Sequence, residues 1–222
     1  MKVVKIQVAL FFKEFLNRPD ILAERINQAL GNLFDAMPTC LDLPLDAPAE
    51  IPVVTRKSTK LPHTLNIARK RCDLILKPSI ENEHLSVIES RYSDGISEFI
   101  KATIQSAEIV RVGVVYTVFQ KNAEPCNYIS EKYFGGTLKG ENELSFRVNK
   151  VTSIKGLNIN NVFNVSNAVA EANGQEESGV LLIRDINNVR DSENKPLTEK
   201  QINSIIKHSY MLLNEEIFGE AK

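Results

Sequence analysis

Two apolar runs, one in each half of the chain, constrain its fold more than anything else in it. Residues 3–12 (VVKIQVALFF) and 109–119 (IVRVGVVYTVF) are rich in β-branched and aromatic side chains, with few charges. Each predicts a well-buried strand. Each is followed by a proline where a helix would begin, Pro19 and Pro125, since proline suits the first helical position and no later one. A fold for this chain must bury two such strands and cover them.

The intervening periodicities supply the cover. Leu22, Ile26, Ala29, Leu30 and Leu33 recur at helical spacing and predict an amphipathic helix over 19–35. Leu85, Ile88, Tyr92, Ile96, Phe99, Ile100 and Ile104 predict a second over 83–105, with Gly95 as its weak point. Residues 125–134 predict a short helix ending at Gly135-Gly136. Thr198, with Gln201 three positions on, has capping-box spacing ahead of a C-terminal helix lined by Ile202, Ile205, Ile206, Ser209, Leu213 and Ile217. Short strands are expected within 52–77, at 144–148, 158–169 and 180–187. Four prolines (Pro38, Pro44, Pro48, Pro52) make 36–52 an irregular connection and a candidate mobile loop.

The expected class is therefore α+β: an antiparallel sheet covered on one face by helices. The order βαβββα reads twice, with a boundary near residue 107: either a duplication, with halves 1–107 and 108–222 in one compact unit, or one continuous α+β domain whose element order repeats by coincidence. VKIQVALFFKEFLNRPDI aligns with VRVGVVYTVFQKNAEPCN, proline on proline. Two such halves joined edge to edge would form a TATA-binding-protein-like curved sheet, a likeness of fold that carries no function.

Composition narrows the class of function. Of the 222 residues 43% are hydrophobic and 25% charged, with a net charge of −1, which excludes a disordered chain, a collagen and a membrane bundle. Three dispersed cysteines (Cys40, Cys72, Cys126) argue against a disulfide framework. The N-terminus lacks the pattern of a signal peptide, so the expected location is cytoplasmic. Charge is unevenly placed. Arg56, Lys57, Lys60, Arg69, Lys70, Arg71 and Lys77 face a single acid, Asp73, within 22 residues, and the rest of the chain is correspondingly acidic. Gathered on one face or rim, these seven would attract phosphate, a nucleic-acid backbone or an acidic partner. Dispersed, they are solvated charges that discourage sheet aggregation.

Catalytic signatures are not evident. His63, His84 and His208 have no ligand spacing between them, and no phosphate-binding glycine loop occurs, so no metal or cofactor is predicted. Cys126, at a helix start, is the first place to seek a nucleophilic thiol, against the plainer reading of a small buried side chain. Arg184-Asp185 and Arg91/Asp94 read as structural ion pairs, and Glu215, Glu216 and Glu220 as a solvated helix end.

The Arg111-Val112-Gly113-Val114 strand, the Leu144/Phe146 strand, LLIRDIN and a terminal helix carrying His208 and Phe218 give the second half a familiar order. It resembles a sporadically distributed, uncharacterised bacterial protein family of about this length. The resemblance implies a bacterial or mobile-element origin, no assigned activity and no site residues.

Three functional readings follow. The first is a non-enzymatic binding or assembly protein that presents a sheet surface and the 56–77 segment to a protein partner or to a second copy of itself, with no membrane involved. The second is nucleic-acid binding through the same segment. The third is an enzyme whose site is assembled from residues distant in sequence.

Overall fold

The computed structural model describes residues 2–44, 46–78, 85–172, 174–190 and 193–212, with the backbone alone for 85–91 and 172. His84, Leu213, Glu215, Glu216, Ile217, Phe218 and Glu220, and the side chains of Leu85, Ile88 and Arg91, lie outside the described residues. Within these bounds the chain is α+β, with four helices and one open antiparallel sheet of nine strands.

The two apolar runs become its central pair. β1 (Lys2–Phe12) and β6 (Ile109–Lys121) run antiparallel, with Ile6 opposite Tyr116, Val8 opposite Val114 and Leu10 opposite Val112. Outward from β1 lie β5 (Arg71–Leu76), β4 (His63–Ala68), β3 (Pro52–Lys57) and the two-residue β2 (Thr39–Cys40). Outward from β6 lie β9 (Gln175–Asn188), β8 (Leu157–Ala172) and β7 (Ser145–Ile154).

Side chains alternate across a strand, so register decides which residues share a face. Ile6, Val8 and Leu10 of β1 lie level with Leu76, Leu74 and Cys72 of β5, and these with His63, Leu65 and Ile67 of β4. On the other side they lie level with Tyr116, Val114 and Val112, and so with Arg184 and Ile186 of β9. This face is largely apolar, with His63 and Arg184 as polar exceptions, and carries all four helices. α1 (Pro19–Ala29) buries Leu22, Ala23 and Ile26, and α2 (Leu85–Ile104) buries Ile96, Phe99 and Ile100. α3 (Pro125–Phe134) buries Ile129, and α4 (Glu199–Leu212) buries Ile202, Ile205 and Ile206. Each fully buried aliphatic side chain contributes about 1.5–3 kcal/mol. Polar contacts fix the helices on the sheet: Tyr116 Oη meets Ser209 Oγ at 3.2 Å and Cys72 Sγ meets Thr103 Oγ1 at 3.9 Å.

Three local features differ from expectation. α1 stops at Ala29 rather than near 35, because Gly31 (φ 67°) and Asn32 (φ 59°) turn left-handed, and the Asn27 side chain accepts the Phe34 amide at 2.8 Å. The proline-rich connection is tied down rather than loose. It contains β2, the Arg69 guanidinium donates to the Ala47 and Pro44 carbonyls, and the Lys70 amide donates to Ala49 at 3.0 Å. Arg184 and Asp185 do not pair with each other, since consecutive strand residues point to opposite faces. Arg184, 2% exposed, lies under the helices and donates to Asn161 Oδ1 at 2.8 Å and the Leu212 carbonyl at 2.9 Å.

Among the described residues no helix is long and apolar enough to cross a membrane. The Thr198–Gln201 box forms, with the Gln201 amide 3.3 Å from Thr198 Oγ1 and Gln201 Oε1 accepting the Thr198 amide at 2.9 Å.

Candidate functional site: the uncovered sheet face

With the helices all on one side, no described residue forms a second layer over the opposite face of the sheet. Its residues are the other half of the alternation: Lys5, Gln7, Ala9 and Phe11 of β1, and their neighbours in register. At the middle, Ala9 pairs with Gly113. Neither has more than a methyl group, so the centre of the face is a floor surrounded by longer side chains.

Those surrounding side chains are joined to one another. Asp73, opposite Ala9 on β5 and only 6% exposed, accepts from Gln7 Nε2 at 3.0 Å and from Arg71 Nε at 2.8 Å. The Arg71 guanidinium lies 4.8 Å from the Phe11 ring centroid, and Arg111 approaches the same ring at 5.1 Å. Cations over an aromatic face are held by its quadrupole. Arg111 Nη2 in turn donates to Asn187 Oδ1 at 3.0 Å, while its Nε is buried without a hydrogen-bond partner. Asn160 Nδ2 shares that Asn187 oxygen at 3.1 Å, Asn187 Nδ2 donates to Asp185 at 2.9 Å, and Asn149 Nδ2 reaches Asn160 at 3.2 Å. The chain of contacts from Asp73 to Asn149 crosses β5, β1, β6, β9, β8 and β7 without a break.

The face is also cationic. Register places Lys2, Lys5, Lys57, Arg71, Arg111, Lys121 and Arg147 on it, against Asp73, Asp185 and Glu177. This is an excess of positive charge in a chain whose total is −1.

The seven basic residues of the 56–77 segment do not form one patch. Only Lys57 and Arg71 lie on the open face. Arg56 points the other way, under α1, and pairs with Glu24 at 2.5 Å. Arg69 and Lys70 sit in the β4–β5 turn and hold neighbouring backbone, Arg69 at Ala47 and Lys70 at the Lys13 carbonyl, with Lys70 also 4.7 Å from the Phe15 ring. Lys60, in the β3–β4 hairpin, and Lys77, whose amide bonds to Pro62, lie at the opposite end of these strands. A strand pair separates its two turns by its own length, so a run of charges crossing both turns must split.

Comparison with protein-family models and with curated proteins finds no match to this chain. The reading of the face therefore rests on its chemistry. It offers guanidinium, ammonium and amide groups and, among the described residues, no histidine or cysteine. Cys72 is buried beneath the helices, where desolvation pushes its thiol well above the usual range, so it is not a nucleophile. Cys126 is half-buried at the start of α3, on the other side of the sheet. Among the described residues no group of three potential ligands could hold a metal ion.

Parts of this surface were accessible from the sequence. The polar positions of β1, Lys5 and Gln7, stand two apart between buried neighbours, and Asn158, Asn160, Asn164 and Ser166 keep the same spacing in β8, interrupted by Asn161 and Val162. Which strands lie side by side was not, and the network depends on that.

Proposed function

We propose that this is a non-enzymatic binding or assembly protein, and that the uncovered sheet face, rather than the 56–77 segment as a unit, is its working surface. One observation carries the reading: the unbroken contact chain through Arg71, Phe11, Arg111, Asn187 and Asn160 across a face that no described residue covers with a second layer. A polar face needs only solvation. This one has its arginines and amides already fixed in position, which lowers the ordering cost of binding.

The partner chemistry follows from charge and shape. A broad cationic face suits an acidic protein surface. Nucleic acid is the second reading, and the aromatic side chains weigh against it: Phe11 is occupied by two guanidinium groups and Phe119 is buried, so neither ring is free to stack a base.

We infer further that the chain is a duplicated βαβββα unit, forming a saddle-like sheet of the TATA-binding-protein kind. Three observations support this. Setting aside the two-residue β2, the element order repeats, and the strand order reads symmetrically outward from β1 and β6. The alignment that superposes Pro19 on Pro125 also equates Val8 with Val114, and these two residues pair directly, as residues on a two-fold axis must. Asp73 opposite Ala9 and Asp185 opposite Val115 then occupy equivalent places.

Fluorescence anisotropy with a labelled polyglutamate peptide and a labelled oligothymidylate tests the reading. Peptide binding that is lost in a Lys5→Glu/Arg111→Glu variant supports it. Absence of peptide binding at low salt contradicts it. Oligonucleotide binding with a log–log salt slope of about one per phosphate contact transfers the face to the second reading.

A further inference from the structure

We propose that the space enclosed by the end of α1, the middle of α2 and the β4–β5 pair binds a small, uncharged, largely apolar molecule bearing one hydroxyl group. The site lies on the helical side of the sheet and is independent of the open face.

The space is a cavity of about 500 Å³, within the range of small-molecule sites. Its walls are aliphatic, with Leu30 and Leu33 from the α1 side, Leu74 and Leu76 from β5, and Ile96 from α2. One polar group interrupts them. His63 begins β4, is 6% exposed, and points with Leu65 and Ile67 toward the helices. Its Nδ1 is buried without a hydrogen-bond partner. Buried polar atoms are normally paired, and an orphan in an apolar wall calls for a partner from outside the protein. A water molecule needs two to four polar neighbours, and among the described residues the polar side chains on this wall are His63 and Tyr92 alone.

Two further features prepare the site. Tyr92 meets the His63 ring edge-on at 5.1 Å, which fixes the direction of the imidazole. Gly95 occupies a mid-helix position of α2, where glycine is the poorest helix former except proline. Packing does not demand a glycine there, since an added Cβ would meet only Leu30 Cδ2, at 3.8 Å. The missing side chain instead leaves the wall open to the cavity.

The ligand class follows from these walls. Burial favours the uncharged imidazole, which has one donor and one acceptor nitrogen. A hydroxyl group can serve either. A carboxylate or ammonium would find no opposite charge among the described lining residues and would be desolvated without compensation from them. Hydrocarbon fills the remainder.

The probe is 4-ethylphenol, compared with ethylbenzene and 4-ethylbenzoate, followed by two-dimensional NMR of the intact chain. The expected result is saturable binding of the phenol with shifts at the His63 and Tyr92 rings, about tenfold weaker binding of ethylbenzene, and no binding of the benzoate. His63→Phe should abolish the phenol's advantage while ethylbenzene still binds, and Gly95→Leu should exclude both. Should Gly95→Leu fail to fold, the His63→Phe comparison decides alone. Absence of phenol binding at millimolar concentration, or an unchanged phenol preference in His63→Phe, overturns the proposal.

Discussion

Arg71 and Arg111 approach the ring of Phe11 from the two strands that flank β1, at 4.8 and 5.1 Å from its centroid. One apolar side chain on an uncovered face thus positions two cations. If the contacts are energetic, each arginine is coupled to the ring. A double-mutant cycle of Arg111→Ala with Phe11→Leu, measured by urea unfolding, should give a coupling of about 0.5–1 kcal/mol. Strict additivity would show that the arginines merely rest there.

Arg184 tests the other face. It is almost wholly buried and supplies donors to Asn161 and to the carbonyl of Leu212, the last described residue of α4. Arg184→Ala leaves those acceptors unpaired and opens a void, and should cost about 3 kcal/mol. Hydrogen exchange at 205–212 should quicken, because the guanidinium ties that end of α4 to the sheet. Unchanged exchange there would show that α4 is held by its isoleucines and the Tyr116–Ser209 contact without the guanidinium.

Two glycines in adjacent strands should respond oppositely to alanine. At Gly179 an added Cβ would collide with the Phe119 ring and come within 2.5 Å of the Gln120 carbonyl, so Gly179→Ala should cost about 1–3 kcal/mol. At Gly113 it would meet only Asn187 and Ala9 Cβ atoms, at 3.8 and 3.9 Å, so Gly113→Ala should leave the melting temperature nearly unchanged. Equal losses would contradict the picture of an open floor at the centre of the face.

His63 makes stability depend on pH with a definite sign. Burial lowers its pKa below the ordinary 6.5, so the unfolded chain takes up the proton first. Its neutral form stabilises the fold fully above pH 6.5, and that contribution is lost as the pH falls through the lowered value. The wild type should therefore lose stability on acidification relative to His63→Phe. Parallel pH profiles would mean that the imidazole is not desolvated.

Features carried by short stretches were legible in the sequence. The buried strands at 3–12 and 109–119, the proline starts at Pro19 and Pro125, the left-handed stop at Gly135 and the Thr198–Gln201 cap each depend on neighbouring residues, and each is present. The early end of α1 was missed because a competent apolar period, through Leu30 and Leu33, continues past a Gly31–Asn32 turn that breaks it. The candidate sites were less legible because they are made by register and packing. Arg71 and Arg111 meet through Phe11, and His63 and Gly95 line one cavity from the sheet and from α2. The segment 56–77 is continuous in sequence, but strand alternation turns Arg56 under α1, and the hairpin turns place Arg69 and Lys77 at opposite ends of the strands. Reversing Arg69 should consequently loosen the 41–51 connection, seen as faster proteolysis there, as well as altering charge.

Site-specific photo-crosslinking in the host cell tests most directly whether the uncovered face is the working surface. The crosslinking residue is placed at Thr117 or Asn164 on that face, and at Gln105 or Asn203 on the exposed side of the helical layer. The prediction is a discrete adduct with an acidic protein from Thr117 and Asn164 and none from Gln105 or Asn203. Adducts from the helical side alone would contradict it.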